Sequence, residues 1–413
     1  MNIVFITELD VVNHQGAALV RIQELAKAIT YKSNNKVYIT SLLHSNKDFK
    51  LGTYDNKFEI YTVGEIKNDA RNFSLRRFFS YRKKQLELDY IINNITQELE
   101  ITVFIVYNFL STFYDEFATI NKLHKSGFKV LAEKNELSRA IALNLSSPAG
   151  NKSLSFFCLK TVNILNGLLI DKLIRLYDGG FVISSFLEKF VKRRTMSPFI
   201  IVPILYPTIN KIEDVVNTNR QTLRIGYFGT ITIKRDQIMN ILKAVKLLVE
   251  YYKLTTVKFS MTGSGSVRAI STIREYINEN KLSGIVTFYG LVDSDKLLAI
   301  QASQDVLIVL RDDSLQGKSS FSTKLANYMH LGKIVLANDI SDNSEYLQNA
   351  INGFLIQNTR PETIAQKLYQ ISCLNTEDSE NIKKNAKNTA MNYFYYKNYA
   401  QKIQSFLEGI QKI

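Results

Sequence analysis

One stretch of the sequence places two basic side chains just before a predicted helix, where they could bind a phosphate group. Lys234 and Arg235 follow an apolar strand that ends at Gly229, and a helix is predicted over 237–251 with Asp236 as its N-cap. Glycine lets the backbone approach a ligand closely. A guanidinium or ammonium group beside such a turn stabilises the charge of a phosphate. We expect Arg235, with Lys234 as the alternative, to make this contact.

A second stretch places a basic side chain at the start of another helix. The apolar run at 306–310 predicts a buried parallel strand, and a polar loop follows it. A helix is predicted to begin at Ser322 or Thr323 and to stop at Gly332. The free N–H groups of its first turn attract anions, and Lys324 lies beside them. Because open α/β sheets bind ligands at the carboxyl ends of their strands, a diphosphate site is predicted here.

Strand-like and helical segments alternate along the chain on both sides of one polar stretch. Residues 208–222 lack a core pattern, so they are predicted to be a linker. Five alternations on each side predict two doubly wound α/β domains, at 1–207 and 223–391. A final amphipathic helix is predicted within 392–413.

Composition and charge limit the class of protein. The 413 residues are 46% hydrophobic and 22% charged, which is typical of globular domains. The net charge of +14 suits a polyanionic partner, although a solubilising excess of lysine would give the same value. Cys158 and Cys373 are far apart in sequence and predict no disulfide framework, which fits a reducing, cytoplasmic setting. Neither a signal peptide nor a transmembrane helix is expected from the sequence.

Several familiar reaction motifs are absent from the sequence. There is no G-x-S-x-G, and GKSS at 317–320 lacks the preceding glycine of a Walker loop. Asp312-Asp313 is an isolated dipeptide and does not predict a metal site. The histidines have neither metal-binding nor catalytic spacing; they are His14, His44, His124 and His330. The sequence therefore predicts neither a metal ion nor a cofactor.

The stretch 316–357 resembles the donor-binding segment of the family 4 glycosyltransferases. The matching motifs are K-L-A-N-Y-M-x-L-G-K-I-V-L-A, which begins at Lys324, and N-G-F-L-I, which begins at Asn352. That family contains retaining enzymes of the GT-B fold. The resemblance implies two Rossmann-like domains that face a central cleft, with the helix at 392–413 crossing back to the N-terminal domain. It also implies a nucleotide-diphosphate sugar as donor.

The resemblance implies roles for residues of the second domain. Arg235 or Lys234 would contact the donor diphosphate, and Leu291 and Val292 would hold the nucleobase. The other donor-side candidates lie at the turn after the first strand of this domain or near the start of the 323–331 helix; they are Gly229, Ser319, Ser322, Thr323, Lys324 and Asn327.

The sequence departs from the family at its paired glutamates. The E-x7-E positions fall on Ser319 and Asn327, so both carboxylates are missing. An asparagine can accept one hydrogen bond from a ribose hydroxyl and donate another. Two hypotheses follow: a hexosyltransferase with altered donor binding, or a catalytically weak or inactive GT-B-like scaffold protein. A nucleic-acid-binding protein is a third hypothesis, which rests on the charge alone, and no nucleic acid is expected.

The acceptor side is predicted from polar residues at the strand ends of the first domain, where Glu136 could orient an acceptor hydroxyl or cap the helix that begins at Ser138. The other candidates in that domain are Gly16, His14 and Asn108. We expect the acceptor to be a glycan or a lipid-linked molecule in the assembly of bacterial surface polysaccharide.

Two further segments of the first domain could lie on a membrane. Residues 71–84 interleave arginine and lysine with phenylalanine and tyrosine, a composition that suits an anionic lipid surface. A helix with an aromatic core face and a solvated basic face would show the same pattern. Residues 153–177 predict a long amphipathic helix that is buried on one side or faces a membrane. The chain is thus expected to be cytoplasmic, with peripheral membrane association as an additional possibility.

Overall fold

The computed structural model describes residues 1–9, 16–42, 44–54, 58–66, 81–96, 100–107, 112–144, 154–207 and 222–412. These residues form two compact units. The first unit contains the described residues up to Pro207 and those from Tyr395 onward, and the second contains the described residues from 222 to Phe394. The predicted linker at 208–222 lies outside the described residues, apart from Thr222.

Among the described residues, the first unit contains an eight-stranded sheet in the order β3-β4-β2-β1-β5-β6-β7-β8. All neighbouring strands are parallel except β3 and β4, which are antiparallel. The strands are β1 (Asn2–Thr7), β2 (Lys36–Ser41), β3 (His44–Tyr54), β4 (Phe58–Ile66), β5 (Ile101–Tyr107), β6 (Lys129–Lys134), β7 (Gly179–Val182) and β8 (Phe199–Ile201). The sequence predicted no strand at β3, because its segment HSNKDFKLGTY is mostly polar and has no sustained apolar run.

Before its C-terminal segment, the first unit contains six described helices, and the first of them packs on this sheet with an apolar face of helical period. They are α1 (Ala17–Thr30), α2 (Tyr81–Tyr90), α3 (Phe113–Lys125), α4 (Ser138–Leu143), α5 (Leu154–Lys172) and α6 (Ser185–Lys192), with a π-helical turn at Ile91–Ile95 and a 3-10 turn at Leu173–Leu176. In the residues that the structure describes, no helix combines the length and apolar character that a membrane-spanning segment needs.

Among the described residues, the second unit contains a six-stranded parallel sheet in the order β11-β10-β9-β12-β13-β14. Its strands are β9 (Leu223–Phe228), β10 (Val257–Thr262), β11 (Val286–Phe288), β12 (Val306–Val309), β13 (Ile334–Asn338) and β14 (Phe354–Ile356). Its helices are α7 (Ile238–Glu250), α8 (Val267–Glu279), α9 (Ser294–Ala302), α10 (Leu315–Ser319), α11 (Thr323–His330), α12 (Asn343–Tyr346), α13 (Pro361–Ser372) and α14 (Thr376–Tyr393). These strands and most of these helices follow the predicted alternation, and α10 was not predicted.

The C-terminal segment returns to the first unit. The sequence predicted one helix over 392–410, but α14 ends at Tyr393, a 3-10 turn spans Tyr396–Tyr399, and the last helix, α15, is Ala400–Lys412. The aromatic run breaks the helix because its rings pack in different units. The Phe394 ring lies against second-unit rings, whereas the Tyr396 ring packs edge-on against Tyr31 of the first unit. Side chains of α15 complete the core of the first unit; they include Ile403, Leu407 and Ile410.

Candidate functional site

The carboxyl ends of β9 and β12 lie side by side in the second sheet. From β9 the chain adds β10 and β11 on one side, and it then crosses to β12 on the other. Doubly wound sheets bind ligands at such a switch point, because the loops after the two strands diverge there and leave a crevice. Both stretches selected from the sequence lie at this edge, since 229–236 follows β9 and 310–324 follows β12.

Glycine turns form the rim of this edge. Gly229, Gly263 and Gly290 follow β9, β10 and β11 and adopt φ values of 123°, 132° and 69°. The Gly229 N–H donates to the carbonyl of Thr262 at 3.2 Å, and the Gly263 N–H donates to the carbonyl of Gly290 at 2.8 Å. A Cβ at Gly263 would lie 1.9 Å from the Gly229 oxygen, so this close packing of turns requires glycine.

Asp236 lies at the centre of a cationic cluster at the switch point. The cluster consists of Asp236, Arg235, Arg311 and Lys324. Arg311 Nη1 pairs with Asp236 Oδ1, Lys324 Nζ lies 3.6 Å from the same oxygen, and Arg235 Nε lies 4.0 Å from Oδ2. Asp236 has no exposed surface. A buried carboxylate needs compensating positive charge, and these side chains supply it.

The predicted capping role of Asp236 is wrong. The N-cap of α7 is Gln237, which adopts φ 55°, and its side chain makes no capping hydrogen bond. Asp236 turns into the interior instead, because the guanidinium of Arg311 and the ammonium of Lys324 approach it from the β12 side. Arg311 is 75 residues further along the chain, so the sequence near Asp236 gave no sign of this pairing.

The cluster shifts the pKa values of Asp236 and Lys324. Burial alone would raise the pKa of Asp236, but the charges of Lys324, Arg311 and Arg235 hold that pKa below its ordinary value. Burial lowers the pKa of Lys324 to about 7, because the attraction of Asp236 is opposed by the two neighbouring guanidinium groups. Asp236 is therefore ionised at neutral pH, and Lys324 gains or loses its proton near neutrality.

Tyr227 and Gly229 position the side chain of Lys324. Its ammonium donates to the Tyr227 hydroxyl at 2.5 Å and lies 4.0 Å from the centre of the same ring. The Tyr227 hydroxyl in turn donates to the carbonyl of Thr230 at 2.8 Å. A Cβ at position 229 would come within 2.8 Å of Lys324 Cε, so glycine leaves the space that this side chain occupies.

Several buried polar atoms around the cluster have no hydrogen-bond partner among the residues that the structure describes. They are Asp236 Oδ2, Arg235 Nε, Arg311 Nε, Ser322 Oγ and Asn327 Oδ1. The side chain of Ser322, at the N-cap position of α11, also makes no capping hydrogen bond to the first turn of that helix. Buried polar groups are normally paired, so unpaired donors and acceptors at one edge indicate a place for a polar ligand.

The charge of the cluster suits an anion. Three cations and one carboxylate leave a net charge of two positive units when Lys324 is protonated. The Arg235 side chain is 33% exposed, against 17% for Lys324 and 13% for Arg311, so Arg235 is the most accessible of the three. The cluster can stabilise negative charge that develops on a diphosphate as a bond to it breaks.

The sequence did not predict that Arg311 and Tyr227 belong to the site. It also did not predict that Asp236 pairs with the cations of the cluster. Arg311 is held by Asn338, whose Oδ1 accepts from the Arg311 N–H at 2.9 Å and whose Nδ2 donates to the Arg311 carbonyl at 3.0 Å. Its position directly after a buried strand was the available signal, because a charged residue there lies at the ligand-binding edge.

The structure separates the other donor-side candidates. Lys234 is exposed and has no ion pair among the described residues, whereas Thr323 is half-buried in the first turn of α11. Ser319 lies at the end of α10 and is fully buried, so its hydroxyl does not face a ligand in this conformation. Asn327 lies in the second turn of α11, and its amide donates to Gln301 Oε1 at 3.5 Å.

The candidates for nucleobase contact lie on the next turn of the rim. Leu291 is exposed and Val292 is half-buried, directly after Gly290. They lie beyond β11, two strands from the switch point.

The acceptor-side candidates of the first unit are only partly described. Gly16 occupies the N-cap position of α1 with an extended backbone, and His14 and Asn108 lie outside the described residues. Glu136 is half-buried just after β6 but does not cap α4. Asp171 fills that role, since its carboxylate accepts from the Ser138 N–H at 2.9 Å.

Comparison with known proteins identifies the second unit. Residues 222–373 match the family model described as glycosyl transferases group 1. The matched segment lies within the second unit. The matched segment contains the whole cationic cluster, and the match bears out the resemblance found in the sequence. An uncharacterized glycosyltransferase of Methanocaldococcus jannaschii is 24% identical over 280 residues, which are 65% of this chain and 66% of that protein.

Solved structures with similar folds cover the whole chain. Sucrose-phosphate synthase of Thermosynechococcus elongatus has a TM-score of 0.72 at 12% identity and aligns 100% of this chain with 99% of its own. HepE of Anabaena, solved with UDP-glucose, has a TM-score of 0.64 at 14% identity and aligns 99% of this chain with 100% of its own. At these identities the likeness shows the fold, and the predicted GT-B fold of two doubly wound α/β domains is confirmed.

Proposed function

We propose that the chain transfers a sugar from a nucleotide-diphosphate donor to a glycan or lipid-linked acceptor. The cationic cluster of the matched segment is the observation that carries this proposal. Its net positive charge, its unpaired buried atoms and its place at the switch point all suit a diphosphate. HepE, with a similar fold, binds UDP-glucose, which supports a nucleotide sugar as the donor.

In the proposed reaction the cluster acts on the leaving group. As the bond between the sugar and the diphosphate breaks, negative charge grows on the phosphate oxygens. Arg235 and Lys324 stabilise that charge without a metal ion, because their positions are fixed before the donor binds. Asp236 and Arg311 hold these cations in place. Retention of the sugar configuration is part of the proposal and rests on the family 4 resemblance.

A catalytically weak scaffold protein is the second candidate function. The paired glutamates are replaced by Ser319 and Asn327, and Ser319 is fully buried. A donor would therefore meet neither of the two carboxylates that the resembling enzymes offer at these positions. This candidate predicts nucleotide binding without sugar transfer or donor hydrolysis.

A panel of nucleotide sugars tests the proposal through thermal stabilisation and donor hydrolysis. A ligand at 100 times its Kd should raise the free energy of unfolding by about 2.7 kcal/mol. Arg235→Ala should lose much of this stabilisation, whereas the adjacent Lys234→Ala, outside the cluster, should keep it. Stabilisation with hydrolysis supports the enzyme, and stabilisation alone supports the scaffold protein. If no nucleotide sugar or nucleoside diphosphate stabilises the chain, the proposed donor site is wrong.

We further propose that the acceptor belongs to bacterial surface polysaccharide assembly and that the chain acts at the cytoplasmic face of the membrane. The segment 71–84 was selected from the sequence as a membrane contact, and 71–80 lie outside the described residues. Lys84 does not support that contact, because it is buried and its ammonium pairs with Glu8 at 2.8 Å and Asp115 at 3.0 Å.

A further inference from the structure

The long helix α5 exposes one apolar face to solvent. Its buried side carries Asn163, Gly167 and Ile170, which pack into the first unit. The opposite side carries exposed residues that we name the apolar stripe, with the exposed Thr161 among them: Leu154, Phe157, Cys158, Val162, Leu165 and Leu169. The exposed fractions are 81% for Leu154, 51% for Phe157, 48% for Val162, 55% for Leu165 and 41% for Leu169. Cys158 is also exposed. Soluble monomers rarely leave so regular an apolar face uncovered.

The stripe is held outward by contacts on the buried side of α5. A Cβ on Gly167 would lie 2.7 Å from Arg139 Cα, so α4 crosses α5 in close backbone contact there. The Phe113 N–H donates to Asn166 Oδ1 at 2.8 Å, which fixes α3 against the other flank. Rotation of α5 to bury the stripe would break both contacts.

A group of arginines lies at the carboxyl end of the stripe. We name it the basic cluster, and it consists of Arg139, Arg175, Arg193 and Arg194. Burial and the nearby charges of the other three lower the pKa of Arg194, and Asp171 opposes this effect. Arg175 and Arg193 are exposed, and Arg194 lies over the Phe190 ring at 3.7 Å. Arg175 lies in the 3-10 turn that directly follows α5, so exposed positive charge adjoins the carboxyl end of the stripe.

We propose that the apolar stripe and the basic cluster together bind the surface of an anionic lipid bilayer. An exposed apolar helix face enters the boundary between headgroups and acyl chains, and arginines beside it attract the anionic headgroups. Two aromatic side chains of the adjacent α3, Tyr114 and Phe117, are 56% and 37% exposed, and aromatic rings suit the same boundary. The helix lies along the surface, because all but Leu159 of its exposed large apolar side chains lie on one side and the opposite side packs into the first unit.

Charge favours a bilayer over a second copy of the chain. Another copy would bring a second net charge of +14 against the basic cluster, and that repulsion opposes association. An anionic bilayer supplies opposite charge to the arginines and an apolar interior to the stripe. This surface is separate from the donor-site residues, so the inference does not depend on the proposed sugar transfer.

A single introduced tryptophan reports on the stripe, because the natural chain contains none. Full-length Leu165→Trp should shift its emission to shorter wavelength when vesicles of phosphatidylcholine with phosphatidylglycerol are added. Phosphatidylcholine alone should give a much smaller shift. Val267→Trp, on an exposed position of α8 in the second unit, is the matched control and should not respond. Equal emission of Leu165→Trp with and without anionic vesicles would overturn the proposal.

Vesicle flotation of unlabelled protein separates the two parts of the surface. Arg175→Gln with Arg193→Gln should weaken binding to anionic vesicles about fivefold per arginine, and added salt should reduce this difference. Leu165→Gln with Leu169→Gln should weaken binding at every salt concentration. Val267→Gln with Arg268→Gln removes similar groups elsewhere and should bind like the natural chain.

Three outcomes would contradict the bilayer assignment. The natural chain could fail to float with anionic vesicles, the stripe and control variants could bind equally, or light scattering could show a dimer that the stripe variant abolishes. The last result would assign the stripe to a second copy. Unchanged thermal unfolding of each variant without vesicles would show that lost flotation does not reflect lost folding.

Discussion

The affinity for a nucleotide sugar should fall as the pH rises through neutrality, because Lys324 loses its proton. The free chain holds the pKa of Lys324 at about 7, through burial and the two neighbouring guanidinium groups. A bound diphosphate brings negative charge to the ammonium and raises its pKa, so the complex contains the protonated lysine. Below pH 7 Lys324 of the free chain is already protonated. Above pH 7 Lys324 must take up a proton each time the donor binds.

The magnitude follows from the same pKa. Each pH unit above about 7 should weaken binding up to about tenfold, or about 1.4 kcal/mol, until the pKa of the complex is reached. The other titratable groups in contact with Lys324 do not give this slope. Asp236 has a lowered pKa and Tyr227 has a strongly raised one, so neither changes its charge near neutral pH.

Calorimetry with an intact nucleotide sugar provides the assay. Both phosphates of such a donor are esterified and stay ionised, so the ligand contributes no titration of its own in this range. Titrations at about pH 6 to about pH 9, in buffers of different ionisation enthalpy, count the protons taken up. Lys324→Arg should bind with a flat pH profile, and Lys324→Met should bind weakly with no proton uptake. Equal affinity of the natural chain across this range would refute the assigned role of Lys324.

Three further predictions concern single side chains. Arg235→Ala should weaken nucleotide diphosphate binding by about 1.5–3 kcal/mol by calorimetry, and equal affinities for Arg235→Ala and Lys234→Ala would contradict this. Asn327→Leu should cost about 1–3 kcal/mol of donor affinity if its unpaired oxygen meets a ribose hydroxyl, whereas Asn327→Glu should keep or tighten binding. Burial raises the pKa of Glu116 from 4.5 to about 7, so unfolding should cost less free energy as the pH rises through that interval. Glu116→Gln, which can still accept from Tyr177, should remove up to about 3 kcal/mol of that fall in urea titrations, and identical pH profiles would contradict the assignment.

The fold was predictable because its signals are local. Short apolar runs such as 101–107 and 306–310 became buried strands, and the glycine at 332 ended α11 with φ 60°. Each of these signals lies within one element, where burial and turn chemistry act on neighbouring residues. The strand β3 was missed for the same reason, because its sequence carries no apolar run and its pairing with β4 determines its conformation.

The candidate site was only partly predictable because its contacts are long-range. Arg235 and Lys324 were found, since each lies beside a strand end and a helix start. Their relation to one another was not visible, because Tyr227 contacts Lys324 across 97 residues and Arg311 contacts Asp236 across 75. Asp236 was predicted to be a helix N-cap, because that is the commonest role of an aspartate directly before a helix.

The position of Asp236 explains how the site can exist before a ligand binds. Arg235, Arg311 and Lys324 would repel one another if they were gathered without an anion, and burial would add a cost for each charge. Asp236 offsets part of that repulsion and orients the cations through its carboxylate oxygens. It neutralises one charge of three, so a positive excess remains for a diphosphate. The single buried carboxylate thus stabilises the empty site and leaves it attractive to an anionic ligand.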